Sequence, residues 1–257
     1  MSKVERIRGR LDNGVGCRRF ALTAEELGQN EPMRFYFSLC LLGLAVFGLF
    51  PGLDLAFSAL FYEPDLGFIY KDLPWVQASY WAYARLQIPI FIALILVLAL
   101  GFFSPKWALR RRASVYLLLV LLLGPGLIVN EGLKNHWGRA RPAHVTEFGG
   151  QALYTPPWQV SDQCERNCAM SSGHAALGFY PWAMAWVVRR QRRLWIGIGA
   201  LSGGLVGLGR ILQGGHFLAD VLVSAAVVWL VCVVLARWLL PASQPPKGAF
   251  TDPASGG

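Results

Sequence analysis

Charged residues are scarce in this 257-residue chain, where Asp, Glu, Lys and Arg make up only 15%; average usage is about 25%. Apolar residues make up 54%. That balance excludes an ordinary soluble domain and indicates a membrane protein. Charge is scarcest in the middles of the long apolar runs, which argues against the intramembrane ionisable groups of a transporter or conduction path. No internal repeat stands out. The first 34 residues are polar and have no apolar core of the kind a cleavable signal peptide needs, so the first span is expected to serve as an uncleaved insertion signal. Cysteines number five, and no second pair stands at metal-ligand spacing, which disfavours a zinc site.

A membrane span needs about 20 mostly apolar residues. Six stretches qualify to within a few residues: 35–54, 86–104, 113–131, 173–189, 194–212 and 217–240. The fourth is short and holds Pro181. The expected fold is all-α: a polytopic membrane protein with six transmembrane helices in one domain, 35–240. An N-terminal tail (1–34) precedes it, and a Pro-, Gly- and Ser-rich tail (241–257), expected to be disordered, follows it. Thr23 with Glu26 could cap a short helix in the first tail, or that tail is only partly ordered.

The net charge of +9 raises the question of nucleic acid. Its placement answers against such a partner. Basic residues gather in the N-terminal tail (Arg6, Arg8, Arg10, Arg18, Arg19), at Lys106 with Arg110–Arg112, and at Arg189, Arg190, Arg192 and Arg193. These are alternate connections of a six-span chain. The positive-inside rule then places both termini and these loops in the cytoplasm, with an affinity for anionic lipid heads.

The first outer connection, 55–85, carries Trp75, Tyr80, Trp81 and Tyr83. They read as a boundary anchor belt, with a short helix along the outer surface. Gly124-Pro125-Gly126 is expected to kink the third span. Glu131 is placed either to pair with Lys134 one turn on or to be solvated. Gly203 and Gly207 form a G-x-x-x-G pair, read as close packing within the domain. The second outer connection, 132–172, is long enough to be functional. Its Cys164 and Cys168 face an oxidising compartment on this topology, which favours a disulfide. Cys17, Cys40 and Cys232 read as free thiols.

Three polar clusters stand at the ends of the apolar runs, all on the outer side: Lys134 with Arg141-Pro142, Ser172-Gly173-His174, and Arg210 with His216 and Asp220. Four-residue spacing at a helix start would put His216 and Asp220 on one face, about 6 Å apart along the axis. A carboxylate so placed can fix the imidazole tautomer and leave the other ring nitrogen free as nucleophile or base. A helix start behind Ser172-Gly173 offers N–H groups to an anion. Lys134, Arg141 and Arg210 add positive charge, and Arg can grip phosphate oxygens in pairs. The set suits a phosphoryl group better than a carboxylate.

In order, spacing and position, these clusters resemble the three-part signature of the type 2 phosphatidic acid phosphatase superfamily, over residues 35–240. Two positions depart from it: Ser171 stands where proline is usual, and Gly209 where serine is usual. The resemblance implies a phosphatase that uses no cofactor and no metal. His216 would be the nucleophile, oriented by Asp220. His174 would be the acid for the leaving oxygen. Lys134, Arg141, Ser172, Gly173 and Arg210 would cradle the phosphate. Glu147-Phe148-Gly149-Gly150 and the Cys164–Cys168 element more loosely resemble bacterial lipid A phosphatases. The implied partners are the bilayer and a phosphorylated membrane lipid, with undecaprenyl diphosphate and phosphatidylglycerol phosphate as alternatives to lipid A. The implied location is a bacterial inner membrane with the site facing the periplasm. A phosphotransferase would use the same residues.

Overall fold

The computed structural model describes residues 24–108 and 110–240, so Cys17, Thr23 and the C-terminal tail lie outside the described residues. Among the described residues, those through Phe35 form one unit and those from Tyr36 another. The architecture is helical. Helix α1 runs Ala24–Leu49 and α2 Gly52–Ala59. A two-residue-per-strand hairpin pairs Tyr62–Glu63 (β1) with Gly67–Phe68 (β2). Helix α3 is Pro74–Phe103 and α4 is Arg111–Leu121, continued as a wider helix through Leu133 and ordinary α-helix to His136. Helix α5 is Gly173–Phe179, α6 Arg192–Leu212 and α7 Leu218–Leu239.

Among the described residues, four helices are long and apolar enough to cross a membrane, or five if Phe37–Leu49 and α2 count as one span. That pair is bent by 102°. The cause is local: Pro51 steers Phe50 away from helical backbone, so α1 ends at Leu49. Residues 173–189 do not form one long apolar helix. Pro181 has no N–H to give, and the chain tightens into 3₁₀ turns over Tyr180–Ala183 before a last α turn at Met184–Val187. Helix α3 begins twelve residues before the expected span. At 1.5 Å per residue its 30 residues reach about 45 Å, longer than a hydrocarbon core of about 30 Å. Its first turns carry the aromatic belt.

Gly124-Pro125-Gly126 does not break its helix, which is continuous from Arg111 to His136. The helix widens instead, with the Lys134 N–H reaching back five residues to the Val129 carbonyl. The wider turn gives the Pro125 ring the room an α turn denies it. Widening also changes which side chains share a face. Glu131 accepts from Asn135 at 3.1 Å, and the Glu131 carbonyl meets His136 Nδ1 at 2.8 Å. Among the described residues no ion pair joins Glu131 to Lys134.

The connections 55–85 and 132–172 have their own apolar core. Phe68, Ala140, Val145, Phe148 and Phe217 are buried together, with Tyr62 and Tyr154 packed on them. Phe148 contributes its ring, Gly149 turns the chain with φ +79°, and at Gly150 any side chain would collide with the His144 backbone. The Glu147–Gly150 segment therefore shapes this cap. Deeper, Gly203 lies against Gly178 and Phe179, and Gly207 against Val221, all within the chain.

Candidate active site

Ser172 adopts extended backbone ahead of α5, and its Oγ accepts from the Ala175 N–H at 3.3 Å. The cap leaves Gly173 and His174 in the first turn, where α-helical N–H groups have no intrahelical partner. Gly173 sits so close to Asn130 of the widened helix that a Cβ would meet the Asn130 amide. Ser171 precedes them in left-handed backbone, φ 67°, with its Oγ donating to the Val129 carbonyl at 3.0 Å. Proline, usual here in the signature, cannot take positive φ. Ser171→Pro is expected to cost about 3 kcal/mol and Ser171→Gly little, as read by thermal melting in detergent.

His216 lies fully buried between α6 and α7. The expected bond to Asp220 is not made. Nδ1 meets the Ala169 carbonyl at 2.8 Å, and the nearest Asp220 oxygen is 3.9 Å away. The reason is that α7 begins at Leu218, after Phe217 in extended backbone, so His216 is not on the helix face its spacing implied. The Asp220 oxygens are engaged elsewhere: Oδ2 accepts the Phe217 N–H at 2.7 Å and Oδ1 accepts from Arg139 at 2.6 Å. With Nδ1 held as donor, Nε2 carries the lone pair.

Burial, then the positive charges of Arg210, Lys134 and Arg141, push the His216 pKa well below the usual imidazole value, while the Ala169 carbonyl pulls the other way. The neutral ring therefore persists to lower pH than in an ordinary histidine, whose pKa is about 6.5. Because only the unfolded chain takes up this proton, the group also lowers stability as pH falls below about 6.5. The ¹⁵N ring signal that disappears in His216→Ala is expected to keep neutral-imidazole shifts through pH 6. A midpoint at 6.5 or above would contradict this.

The segment after the disulfide joins the first cluster to the third. Cys164 and Cys168 are bonded to each other. The Asn167 carbonyl accepts two bonds from Arg141, at 2.6 and 3.1 Å. The Cys168 N–H donates to the Lys134 carbonyl, the Ala169 N–H to that of Arg139, and the Ala169 carbonyl meets His216. Cys40 and Cys232 are free.

Three residues of this region were not singled out from sequence. Arg139 is fully buried and binds two carboxylates, Asp54 at 2.7 Å and Asp220 at 2.6 Å. Tyr80, read as an anchor, stacks its ring on His174 at 4.7 Å and lies beneath the Arg210 guanidinium at 5.0 Å. Arg210 is further held by Gln213. The one local hint was that Arg139 lies two residues before Arg141; nothing local marks Asp54 or Tyr80.

The structure thus brings both histidines, Lys134, Arg141 and Arg210 within electrostatic reach of one another. His174 Nε2, His216 Nε2 and Arg210 Nε are buried without a protein hydrogen-bond partner. Two imidazoles and three cations at the ends of apolar helices define a membrane enzyme suited to phosphoryl groups. The PAP2 superfamily model matches residues 113–243. The lipid A 4'-phosphatase of Francisella tularensis subsp. novicida is 35% identical over 77% of this chain and 93% of its own length. Those of Rhizobium leguminosarum and Rhizobium etli are 30% and 29% identical, each over 78% of this chain and over 91% and 83% of their own lengths. No solved structure matches the chain. The chain belongs to the PAP2 superfamily. It is a membrane phosphatase, a phosphoric monoester hydrolase.

Proposed function

We propose that this chain removes a phosphate from the saccharide head group of lipid A at the periplasmic face of a bacterial inner membrane, through a phosphohistidine and without a metal. The observation that carries the mechanism is that three of the buried side-chain atoms without a protein partner, His174 Nε2, His216 Nε2 and Arg210 Nε, belong to two imidazoles within electrostatic reach of the same cations and to one of those cations. Buried polar groups left without partners call for an explanation, and a phosphoryl group would supply one.

The bond changes follow from these positions. His216 Nε2 attacks phosphorus, and the bond to the ester oxygen breaks. His174 gives its proton to that departing oxygen. The His216 ring keeps its Nδ1 proton on the Ala169 carbonyl and becomes cationic. Water then attacks phosphorus, the electron pair returns to Nε2, and the proton of water returns to His174. Lys134, Arg141 and Arg210 offset charge on the three equatorial oxygens, and the Ser172–Gly173 turn adds N–H groups. Monoester hydrolysis is among the slowest uncatalysed reactions, so covalent catalysis and concentrated charge are both needed.

Lipid A as substrate rests on the three relatives, each named a lipid A 4'-phosphatase. It is supported by a cavity of about 360 Å³ in which two cradle residues, Arg141 and Arg210, are joined by Lys71, Asp72, Gln77, Tyr80, His144 and Gln213. That space admits a head group larger than phosphate. Six spans, with α2 lying along the outer surface, both tails inside and the site outside, fit the placement of basic residues. The test is phosphate release by purified protein in EDTA from lipid A, undecaprenyl diphosphate and phosphatidylglycerol phosphate. Lipid A is expected to turn over fastest. Strict dependence on an added divalent metal would overturn the metal-free mechanism, and preference for another lipid the substrate.

A further inference from the structure

Arg139 has no exposed surface, and each face of its guanidinium fork is used. Nη1 donates to Asp220 Oδ1 at 2.6 Å, Nη2 to Asp54 Oδ2 at 2.7 Å, and Nε to the Thr155 carbonyl at 2.9 Å. The Phe217 ring lies 4.2 Å from the guanidinium carbon. Burial works against the charge on Arg139, but Asp220 and Asp54 outweigh it and hold its pKa above the usual arginine value. Asp54 is likewise fully buried. Its Oδ1 accepts the Ala219 N–H at 3.1 Å, in the first turn of α7. A carboxylate from the bend after the first apolar helix therefore fixes the start of the helix just after His216.

Charge bookkeeping makes this more than a staple. With both carboxylates ionised, as the proposal requires, the triad carries one formal negative charge with no exposed surface. Uncompensated buried charge is strongly unfavourable, so its retention calls for a cationic neighbour. Of the cradle cations, Arg141 is within electrostatic reach of Asp220 but makes its hydrogen bonds to the Asn167 carbonyl. His216 is nearer: Asp220 Oδ2 stands 3.9 Å from its Nδ1. The ring is neutral at rest and gains a positive charge only when Nε2 takes the phosphoryl group. The same group extends to the second cluster. The Asp220 carbonyl accepts from Ser224 Oγ at 2.8 Å, and Ser224 Oγ accepts the Ser172 N–H at 2.7 Å.

We propose that Asp54 and Arg139 are positioning residues: with Asp220 they form a fixed anionic triad that seats His216 and stabilises its ring as that ring becomes cationic. The proposal rests on the phosphohistidine reading above. It assigns a role in turnover to a residue, Asp54, that lies outside all three signature clusters.

The experiment compares Asp54→Asn, Arg139→Gln, the double variant and His216→Ala on ³²P-labelled lipid A in detergent micelles, with melting measured for each. Asn keeps the shape of Asp54 and its bond to Ala219 but removes the net charge. Asp54→Asn is expected to lower kcat about 10–100-fold, as loss of a supporting partner does elsewhere. KM should stay within about 3-fold, since no phosphate-binding group is touched. Arg139→Gln leaves two carboxylates facing each other, and adding Asp54→Asn restores a net charge of −1. The double variant is therefore expected to be at least about 5-fold more active than Arg139→Gln alone, a rescue that loss of structure alone would not produce. Wild-type kcat in Asp54→Asn overturns the proposal, whether or not Arg139→Gln folds. So does a double variant no better than Arg139→Gln. An active His216→Ala would instead bring down the phosphohistidine reading, which separates the two failures.

Discussion

Replacing His216 with alanine is expected to lower phosphate release by about 10⁴–10⁶-fold, the scale seen when the nucleophile of a catalytic unit is removed. The ring makes one hydrogen bond, from Nδ1 to the Ala169 carbonyl, and its Nε2 has no protein hydrogen-bond partner. Alanine would leave the cradle cations and the Ser172 cap in place. Binding of the phosphorylated lipid should therefore survive while turnover fails. Two measurements check this together. Wild-type enzyme quenched in alkaline detergent should retain ³²P from labelled substrate in a base-stable form that acid releases, and His216→Ala should retain none. Equilibrium binding of the same substrate should weaken by less than about 10-fold, because three cations still grip the phosphate. A variant that still turns over at near wild-type rate would remove His216 from the mechanism.

His174→Ala is expected to lose about 10²–10⁴-fold, the usual contribution of one acid–base group. The loss should depend on the leaving group. A sugar or alkyl alkoxide cannot depart without a proton, whereas an activated aryl oxide can. The variant should thus be severely impaired on lipid A and much less so on p-nitrophenyl phosphate under the same conditions. Equal loss on both would mean that His174 binds phosphate instead of donating a proton. The stacked Tyr80 ring bears on this result. It covers one face of His174 and supports Arg210, so Tyr80→Ala should reduce kcat on both substrates alike, without the leaving-group dependence.

The membrane class was legible because long apolar runs with charge at their ends are a local property of the chain. The three clusters were legible for the same reason, since residue type and spacing lie within short windows. What escaped depends on contacts between distant segments. The chemistry of Asp54 becomes visible only when Arg139, 85 residues later, is folded against it. Tyr80 looks like any boundary aromatic until α5 places His174 on its face. The His216–Asp220 spacing misled for a subtler reason: it assumes a helix already formed at residue 216, and helix α7 starts at Leu218. Pro125 and Pro181 were both readable as disruptions, but not in kind. One widened its helix and the other tightened it. The fourth apolar stretch was the shortest and does not form a single long helix, and the first is interrupted by the bend after Leu49.

The triad around Arg139 also sets an order of assembly. A ribosome makes Asp54 first, Arg139 85 residues later, and Ala219, whose N–H binds Asp54, 165 residues after Asp54. Until the last helix arrives, Arg139 lacks the second of its two carboxylates, Asp220, and Asp54 lacks the Ala219 N–H. A nascent or truncated chain ending before Leu218 is therefore expected to release no phosphate, and phosphatase activity to appear only when the final helix docks.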